Sequence, residues 1–438
     1  MTYLKALRED APLLDAYLRY FEVARTPFTI PGHKQRASKL DLGLGAVVDG
    51  DTPLYGGLDE IKLTNQTLKS AESLAAKLWG GDYARFSTGG STHVNQAVIL
   101  ALGKLGGKIA VARTAHRSVL SALVLAGLEP IWLAPDIDAA TGVPTGIPLS
   151  ELERVLPQKP IALLLTEPGY LGTISQLPEL ISKAHEHKIP VVIDAAWGAH
   201  FGFHNDLPKH VLQLGADALI TSTHKALPGF SASALLVARG EYLNLDRLEQ
   251  SFETTHTTSP AGAPLASIDG CRALLQTRGE ALTGDLLKHA IDFKNQVQAH
   301  FDQQIFLNAD NFAAGRFDPV KIVLRANVLG VSGVDVEKEL QKANIRVEMA
   351  DRDTIVFLAT LADDADDFTV LANALVPILK SLQGSPRPTQ TSLSWSIVPT
   401  VAVSMRDAYF ADTEYVSAEK AIGRISADLI APYPPGVA

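Results

Sequence analysis

Short apolar runs alternate with helical patterns between about residues 80 and 240, and this alternation restricts the possible fold more than any other feature. Most of the runs are rich in Ile, Val and Leu and lack polar alternation, as strands buried on both faces must be. Helical stretches such as 177–188 separate several of the runs. The spacing predicts an α/β fold with a mainly parallel sheet covered by helices. The runs are KIAVAR (108–113), PIWLAP (130–135), IALLLTEP (161–168), PVVIDAA (190–196), DALITS (217–222) and ALLVAR (234–239).

The sequence before and after this alternating region shows different patterns. An N-terminal helical pattern leads into a glycine-rich segment at 33–60, which we expect to form an ordered loop or arm. Past residue 240, a long helical stretch at 262–304 is interrupted by Gly270 and Gly279, and mixed strand and helix patterns follow. We therefore predict an N-terminal helix and arm (1–65), a large domain (66–300) and a small C-terminal α+β domain (301–438).

Composition narrows the class of protein and its partners. Of 438 residues, 46% are hydrophobic and 20% charged, which is typical of globular proteins. The net charge of −9 provides no general attraction to nucleic acid or to an anionic membrane, although it suits a cationic ligand. The single cysteine, Cys271, excludes a disulfide framework and a cysteine-rich metal site, and we predict no metal. Because neither a signal-peptide core nor a membrane-spanning apolar run is present, we expect a cytoplasmic protein.

Residues that follow the predicted strands are the first candidates for chemistry, since ligands of such sheets bind beyond the carboxyl ends of the strands. Gly90, Ser91 and Thr92 open a helical pattern after a short strand-like segment. Free amide groups, the helix dipole and the hydroxyls together favour binding of a phosphate there. An ordinary N-cap on a tight turn is the alternative.

Three further strand ends carry a histidine, an aspartate and a lysine. His116 follows KIAVAR and could act as an acid or base or stack on a planar ligand, although a structural histidine is the more common case. Asp194 closes PVVID, where a carboxylate is costly to bury without a partner; a helix cap is the alternative. Lys225 follows DALITS, and a desolvated amine in that position could form a Schiff base.

These four features together fit pyridoxal 5′-phosphate (PLP). This cofactor needs a lysine, a carboxylate at the pyridine nitrogen, a flat group over the ring and a phosphate-binding loop. Ser222 and His224, on either side of Thr223 before Lys225, add donors for the phosphate. A nucleotide-binding alternative rests on a Gly-Leu-Gly at 43–45, which neither follows a strand nor opens a helix.

The motifs also resemble those of the bacterial Orn/Lys/Arg decarboxylases, PLP enzymes of the aspartate-aminotransferase fold (fold type I), over almost the whole chain. The resemblance implies Lys225 as the cofactor lysine, Asp194 as partner of the pyridinium and His116 as the stacking residue. The matching segments are FTIPGHKQ (28–35), GST (90–92), RTAHRS (113–118), DAAW (194–197), STHK (222–225), TTSP (257–260), SID (267–269), GRISA (423–427) and YPPG (433–436).

Further roles follow from the same resemblance. It implies that Ala196 and Trp197 contact the cofactor, and that the protein is a homodimer or larger homo-oligomer in which Thr258 reaches a neighbour's cofactor. Trp197 stands where many members carry histidine, and the segment after Lys225 lacks the glutamine common there. The chain resembles a compact form without a receiver-like N-terminal domain.

The expected reaction is decarboxylation of a basic amino acid to the amine and carbon dioxide, as part of polyamine metabolism. Arginine is favoured, ahead of lysine and ornithine, because compact forms tend toward polyamine biosynthesis. Acidic residues should bind the cationic end of the substrate, and Glu348, Asp59 and Glu60 are the candidates.

Two alternatives stay open at the level of sequence. An aminotransferase or lyase would keep the cofactor but change the reaction, and an aminotransferase would use an arginine such as Arg352 or Arg406 for the α-carboxylate. A regulatory protein on a non-catalytic scaffold is the other, although the intact set of Lys225, Asp194 and His116 speaks against it.

Overall fold

The computed structural model describes residues 2–22, 28–35, 44–55, 58–59, 66–103, 106–389, 397–398 and 400–426. Its helices are α1 (Thr2–Asp10), α2 (Pro12–Tyr20), α3 (Ala46–Gly50), α4 (Thr67–Trp79), α5 (Gly90–Leu102), α6 (Arg117–Ala126), α7 (Leu149–Val155), α8 (Leu177–Glu186), α9 (Leu245–Thr255), α10 (Gly262–Gln298), α11 (Gly333–Lys342), α12 (Ala365–Leu382), α13 (Met405–Phe410) and α14 (Ala418–Ala421). Its strands are β1 (Tyr83–Ser87), β2 (Lys108–Ala112), β3 (Glu129–Leu133), β4 (Asp136–Ile137), β5 (Pro144–Gly146), β6 (Leu163–Thr166), β7 (Val191–Asp194), β8 (Ala218–Ser222), β9 (Ala234–Ala238), β10 (Ile322–Arg325), β11 (Met349–Ala350) and β12 (Thr354–Phe357).

A seven-stranded sheet in the order β1-β9-β8-β7-β6-β2-β3 forms the centre of the molecule. The six apolar runs all become strands of this sheet, and its neighbours pair in parallel from β3 through to β8. Only β9 runs the other way, because it pairs antiparallel with both β8 and β1. The predicted α/β fold with a mainly parallel, helix-covered sheet is therefore confirmed.

Two apolar layers cover the two faces of this sheet. On one face, α5, α6 and α9 pack through residues such as Val98, Leu123 and Phe252. On the other face, α4, α7, α8 and the first half of α10 supply side chains such as Trp79 and Leu180. Because both faces are covered, the strands formed by the six apolar runs are almost entirely apolar, and their polar side chains lie mostly near the strand ends.

The α10 helix departs from the sequence expectation, since it runs unbroken from Gly262 to Gln298 instead of being interrupted at its glycines. A Cβ atom on Gly270 would lie 3.2 Å from the Leu14 side chain, and one on Gly279 would lie 3.1 Å from Phe203. Both glycines therefore permit close packing against the helix instead of ending it.

A smaller sheet in the order β10-β12-β11 is antiparallel and packs with α11, α12 and the second half of α10. The predicted strand at 345–350 is shorter than expected, because only Met349 and Ala350 pair. The two-residue β4 and its partner β5 form a hairpin that the apolar pattern does not reveal. The boundaries at residues 65 and 300 stay predictions, and α10 contributes to both apolar cores. Within the ranges described, no helix has the length and apolar character needed to cross a membrane.

Candidate active site

The carboxyl edge of the large sheet brings together side chains that are far apart in the sequence. The strands β2, β7 and β8 run parallel, so the segments after Ala112, Asp194 and Ser222 meet at this edge. The Lys225 ammonium nitrogen lies 4.0 Å from the centroid of the Trp197 ring. The edge therefore combines an amine, a carboxylate and an aromatic surface.

Asp194 is buried, and its carboxylate is held in place by two donors. The Asn95 amide nitrogen Nδ2 donates to Oδ2 at 2.8 Å, and the backbone N–H of Ala196 donates to Oδ1 at 3.1 Å. Asn95 was missed by the sequence analysis, because an asparagine beside Gln96 in α5 carries no pattern that marks it as a site residue. A charge-assisted hydrogen bond of this kind fixes the direction in which the carboxylate points.

His116 caps the N-terminus of α6. Its Nδ1 atom accepts a hydrogen bond from the backbone N–H of Ser118 at 3.2 Å and lies 2.9 Å from the Ser118 hydroxyl. Because Nδ1 is an acceptor, the neutral ring carries its proton on Nε2. Burial lowers the pKa of His116; Asp194 opposes this shift, while Lys225 adds to it. Asn95 also donates to the Ser118 hydroxyl at 3.0 Å, so one amide links the histidine and aspartate positions.

The segment 89–92 has the features of an anion-binding helix start. Gly90 has φ +68°, a backbone conformation that favours glycine, and its N–H donates to the carbonyl of Ala232 at 2.6 Å. The Ser91 and Ser222 hydroxyl oxygens are 2.8 Å apart. Within the described part of the chain, no acceptor pairs with the backbone N–H groups of Ser91 and Thr92, so both can bind an anion.

His224 and Thr258 lie beside this segment in different ways. The Nδ1 atom of His224 donates to the carbonyl of Ser233 at 2.9 Å, next to the carbonyl that binds Gly90. Thr258 is exposed in the turn between α9 and α10. Two residues earlier, His256 accepts a long hydrogen bond of 3.5 Å from the backbone N–H of Thr88, which keeps the turn close to the anion-binding segment.

The predicted acidic residues separate into two groups. Burial lowers the pKa of Lys225, and the carboxylates of Asp194 and Glu348 oppose that shift. Asp59 is buried instead at the start of α4, where it accepts a hydrogen bond from the N–H of Leu68 at 2.9 Å. Glu60 and the motif at 433–436 lie outside the described residues.

A second lysine, which the sequence analysis missed, contacts the same aromatic surface. Lys321 is buried, and its ammonium nitrogen lies 3.8 Å from the Trp197 ring centroid and 4.9 Å from that of Tyr170. It directly precedes β10, so a sequence pattern would describe it as the polar end of a strand. Tyr170 also lines a cavity of about 530 Å³, together with Thr166 of the large sheet and Val323 of the small sheet.

The groups at this edge fit PLP. A held carboxylate suits the protonated pyridine nitrogen, the partly desolvated Lys225 amine suits the aldehyde, and the free N–H groups of Ser91 and Thr92 suit the phosphate. These positions occupy neighbouring strand ends, as one planar cofactor requires.

Comparison with protein families agrees with this fit. Residues 11–367 match the family model described as Orn/Lys/Arg decarboxylase, major domain. The match covers every strand of the large sheet and all of the small one. It therefore includes each strand end described above.

Relatives and solved structures extend the similarity along the chain. The arginine decarboxylase of Bacillus subtilis is 32% identical over 98% of this chain and 90% of its own length. Lysine decarboxylase A from Pseudomonas aeruginosa has the same fold, with a TM-score of 0.82 at 19% identity, covering 100% of this chain and 74% of that one. A structure of serine palmitoyltransferase (SPT) with PLP has a TM-score of 0.61 at 12% identity. The similarity covers 86% of this chain and 85% of that one. The chain therefore belongs to the Orn/Lys/Arg decarboxylase family, and it is a PLP-dependent amino-acid decarboxylase.

Proposed function

We propose that this enzyme decarboxylates L-arginine to the corresponding amine and carbon dioxide in polyamine metabolism, with lysine and ornithine as the next candidates. The observation that carries the proposal is that the Lys225 amine, 4.0 Å from the Trp197 ring, and the Asp194 carboxylate held by Asn95 lie at one sheet edge. The similarity to an arginine decarboxylase over nearly the whole chain supports the choice of substrate.

Each residue at the centre of the edge has a distinct role in this proposal. Lys225 would hold the cofactor through its aldehyde. Asp194, held by Asn95, would keep the pyridine nitrogen protonated, and His116 would stack on the ring. The cofactor supplies the sink for the electrons released as carbon dioxide leaves. His116 or Lys225 then delivers the proton to the α-carbon.

The phosphate and the rest of the cofactor are held by the surrounding groups. We assign the phosphate to the segment Gly90, Ser91 and Thr92 together with Ser222 and His224, because the Ser91 and Ser222 hydroxyls lie 2.8 Å apart beside the free N–H groups of the helix start. Ala196 and Trp197 lie two and three residues after Asp194 and form the adjoining wall of the site.

Glu348 is the proposed partner of the cationic end of the substrate. It is half-buried, and its carboxylate already acts on the amine of Lys225. Asp59 remains a weaker candidate, because one of its carboxylate oxygens accepts from the N–H of Leu68 at the start of α4.

The arrangement of arginines supports decarboxylation over transamination. Arg352 lines the neighbouring cavity, but it forms an ion pair with Asp353. Arg406 donates to the carbonyls of Val124 and Leu125 at the C-terminal end of α6, which is the end remote from His116. Neither guanidinium is placed to hold an α-carboxylate against loss of carbon dioxide.

We also infer that the enzyme acts in the cytoplasm as a homodimer or larger homo-oligomer with the active site at the subunit interface. Phe28 and Phe230 are 94% and 56% exposed, which is unusual for large apolar side chains in a monomer. Thr258, exposed in its turn, is the residue we expect to reach the cofactor of the neighbouring subunit.

A substrate panel tests the proposed reaction. The purified enzyme, loaded with PLP, is incubated with L-arginine, L-lysine or L-ornithine, and carbon dioxide and amine are measured. We expect arginine to have the highest kcat/KM. Formation of a keto acid without carbon dioxide would contradict the proposal.

A paired substitution tests the substrate residue within the same assay. Glu348→Gln should lower kcat/KM for arginine about 10- to 100-fold, the usual loss for a hydrogen bond to a charged group. The matched control Glu280→Gln, at an exposed position of α10, should leave it unchanged. An equal kcat/KM in both variants would remove Glu348 from the site.

A further inference from the structure

Lys321 is a buried cation that has no hydrogen-bond acceptor anywhere in the described ranges. The residue is 6% exposed, and its ammonium nitrogen lies 3.8 Å from the centroid of the Trp197 ring and 4.9 Å from that of Tyr170. Aromatic faces attract a cation but replace only part of the hydration that burial removes. The donors of this ammonium are therefore available to an anion.

The neighbouring carboxylates do not supply this acceptor. Asp318 is held by the Nε2 atom of His200 at 3.2 Å. Burial lowers the pKa of Lys321 to about 8, Asp318 and Glu348 oppose the shift through their charge, and Lys225 adds to it. At neutral pH the Lys321 amine is therefore largely protonated, and in this part of the chain it still lacks a hydrogen-bonded partner.

Lys321 lies beside the lysine that the proposed function assigns to the cofactor. Its nitrogen and that of Lys225 approach the same Trp197 ring, at 3.8 and 4.0 Å from the centroid. In an α-amino acid the carboxylate is bonded to the same carbon as the amine, so a substrate that reacts where Lys225 lies brings a carboxylate to this surface. Lys225 is committed to the cofactor, which leaves the Lys321 ammonium for the substrate.

Arginine is the usual partner of a carboxylate, but both described arginines that line the adjoining cavity are occupied. Arg325 donates to the carbonyl of Ala140 at 2.9 Å, and Arg352 forms an ion pair with Asp353. Lys321 differs from both, because it is more deeply buried and has no acceptor among the described residues. It is therefore the better candidate for an anion that arrives with the substrate.

We propose that Lys321 binds the α-carboxylate of the substrate at the edge where Lys225 lies. The inference rests on the proposed function, in which an amino acid reacts at Lys225. A lysine ammonium is a compact point charge, whereas the planar fork of an arginine binds both carboxylate oxygens. Lys321 therefore attracts and orients the carboxylate without fixing both oxygens, which is compatible with loss of carbon dioxide. The amine product has no carboxylate for Lys321, so it binds less tightly than the substrate.

Two stable conjugates that differ only in this carboxylate test the proposal. Phosphopyridoxyl-arginine is made by borohydride reduction of a mixture of PLP and L-arginine, and its counterpart is made from the decarboxylated amine. Isothermal titration calorimetry at neutral pH measures the dissociation constant of each with the full chain freed of its cofactor. In the unaltered chain we expect the carboxylate conjugate to bind about 10- to 100-fold more tightly, the usual worth of a hydrogen bond to a charged group.

Substitutions identify the lysine that provides this preference. Lys321→Met and Lys321→Gln remove the charge, and we expect each variant to bind the two conjugates about equally. Lys321→Arg keeps a cation and should retain most of the preference. Lys225→Ala removes the other amine on the Trp197 ring and should also retain it.

Lys294→Met is the matched control for the loss of a buried lysine. Lys294 is also buried, and its ammonium donates to the carbonyl of Pro319 at 2.8 Å, two residues before Lys321. Because Lys294 already has an acceptor, its removal should leave the preference for the carboxylate conjugate unchanged.

Several outcomes would overturn the proposal. Equal affinity for both conjugates in the unaltered chain would do so, and this measurement requires no variant to fold. A preference that survives in both neutral variants of Lys321 would do so as well, and one lost only in Lys225→Ala would assign the carboxylate to Lys225. Failure of the proposed function is distinguishable, because borohydride reduction of the PLP-loaded enzyme would then attach the cofactor to a lysine other than Lys225.

Discussion

Two pairs of buried charged side chains in this molecule differ in how the hydration lost on burial is compensated. At the start of α10, the side chains of Arg272 and Asp269 are completely buried and 2.7 Å apart. Arg272 also donates to Gln276 and to the carbonyl of Asp10, and Asp269 accepts from the N–H of Leu13 at 2.8 Å. This pair attaches α2 to α10, and its hydrogen bonds compensate for the lost hydration.

The Lys225–Lys321 group lacks such compensation. Lys321 is buried without a hydrogen-bond acceptor in the described residues, and Lys225 approaches the same ring at 4.0 Å. Two like charges on one aromatic side chain cost stability, and the fold retains them at the edge where the cofactor fits. The comparison teaches that the ion pair that attaches α2 to α10 is compensated by hydrogen bonds, whereas within the described ranges the lysine pair at the sheet edge is not.

The largest expected effect is the loss of activity in Lys225→Ala, which tests the lysine pair of this comparison. We expect kcat to fall at least about a thousandfold, because the covalent partner of the cofactor is removed. The thermal unfolding midpoint of the cofactor-free protein should be unchanged or higher, since a partly desolvated amine is gone. The exposed control Lys288→Ala should keep full activity. A lower unfolding midpoint with retained activity would reverse the roles of the two groups.

The second-largest expected effect is a loss of stability when the ion pair of Arg272 and Asp269 is broken. Arg272→Met leaves the buried Asp269 carboxylate without its ion-pair partner, and we expect a loss of about 3–5 kcal/mol in the free energy of unfolding. Urea unfolding followed by circular dichroism measures it. The double variant with Asp269→Asn should recover part of the loss, because the amide oxygen still accepts from Leu13. A loss below about 1 kcal/mol in the single variant would break the comparison.

The smallest expected effect concerns Asn95, which shares properties of both groups. Asn95 is a hydrogen-bonded buried residue that nevertheless supports the active site through Asp194. Asn95→Ala should lower kcat/KM about 10- to 100-fold, the worth of a hydrogen bond to a charged group, and weaken cofactor binding. Gln96→Ala, the next position of α5, is the control. If both variants kept full activity, Asn95 would belong with the architectural residues.

The three central residues that the sequence pattern identified share one property, which is their position at or soon after the carboxyl end of a strand. Asp194 is the last residue of β7, His116 and Lys225 follow β2 and β8 by a few residues, and parallel strands bring such positions to one edge. Asp269 shows the limit of motif matching. It lies within a segment that resembles the family, and nothing in the pattern distinguishes it from a site residue, although the structure places it in a structural ion pair.

The sequence by itself determined the helix-covered parallel sheet, the edge that carries the chemistry and the cofactor that fits there. Strand periodicity and chain direction are local properties, so they can be read without knowing how the elements pack. Only the tertiary structure decided the position of Asn95 behind Asp194 and of Lys321 beside Lys225. These contacts join separate elements, and the hydration and charge that a side chain experiences depend on neighbours that are remote in the chain.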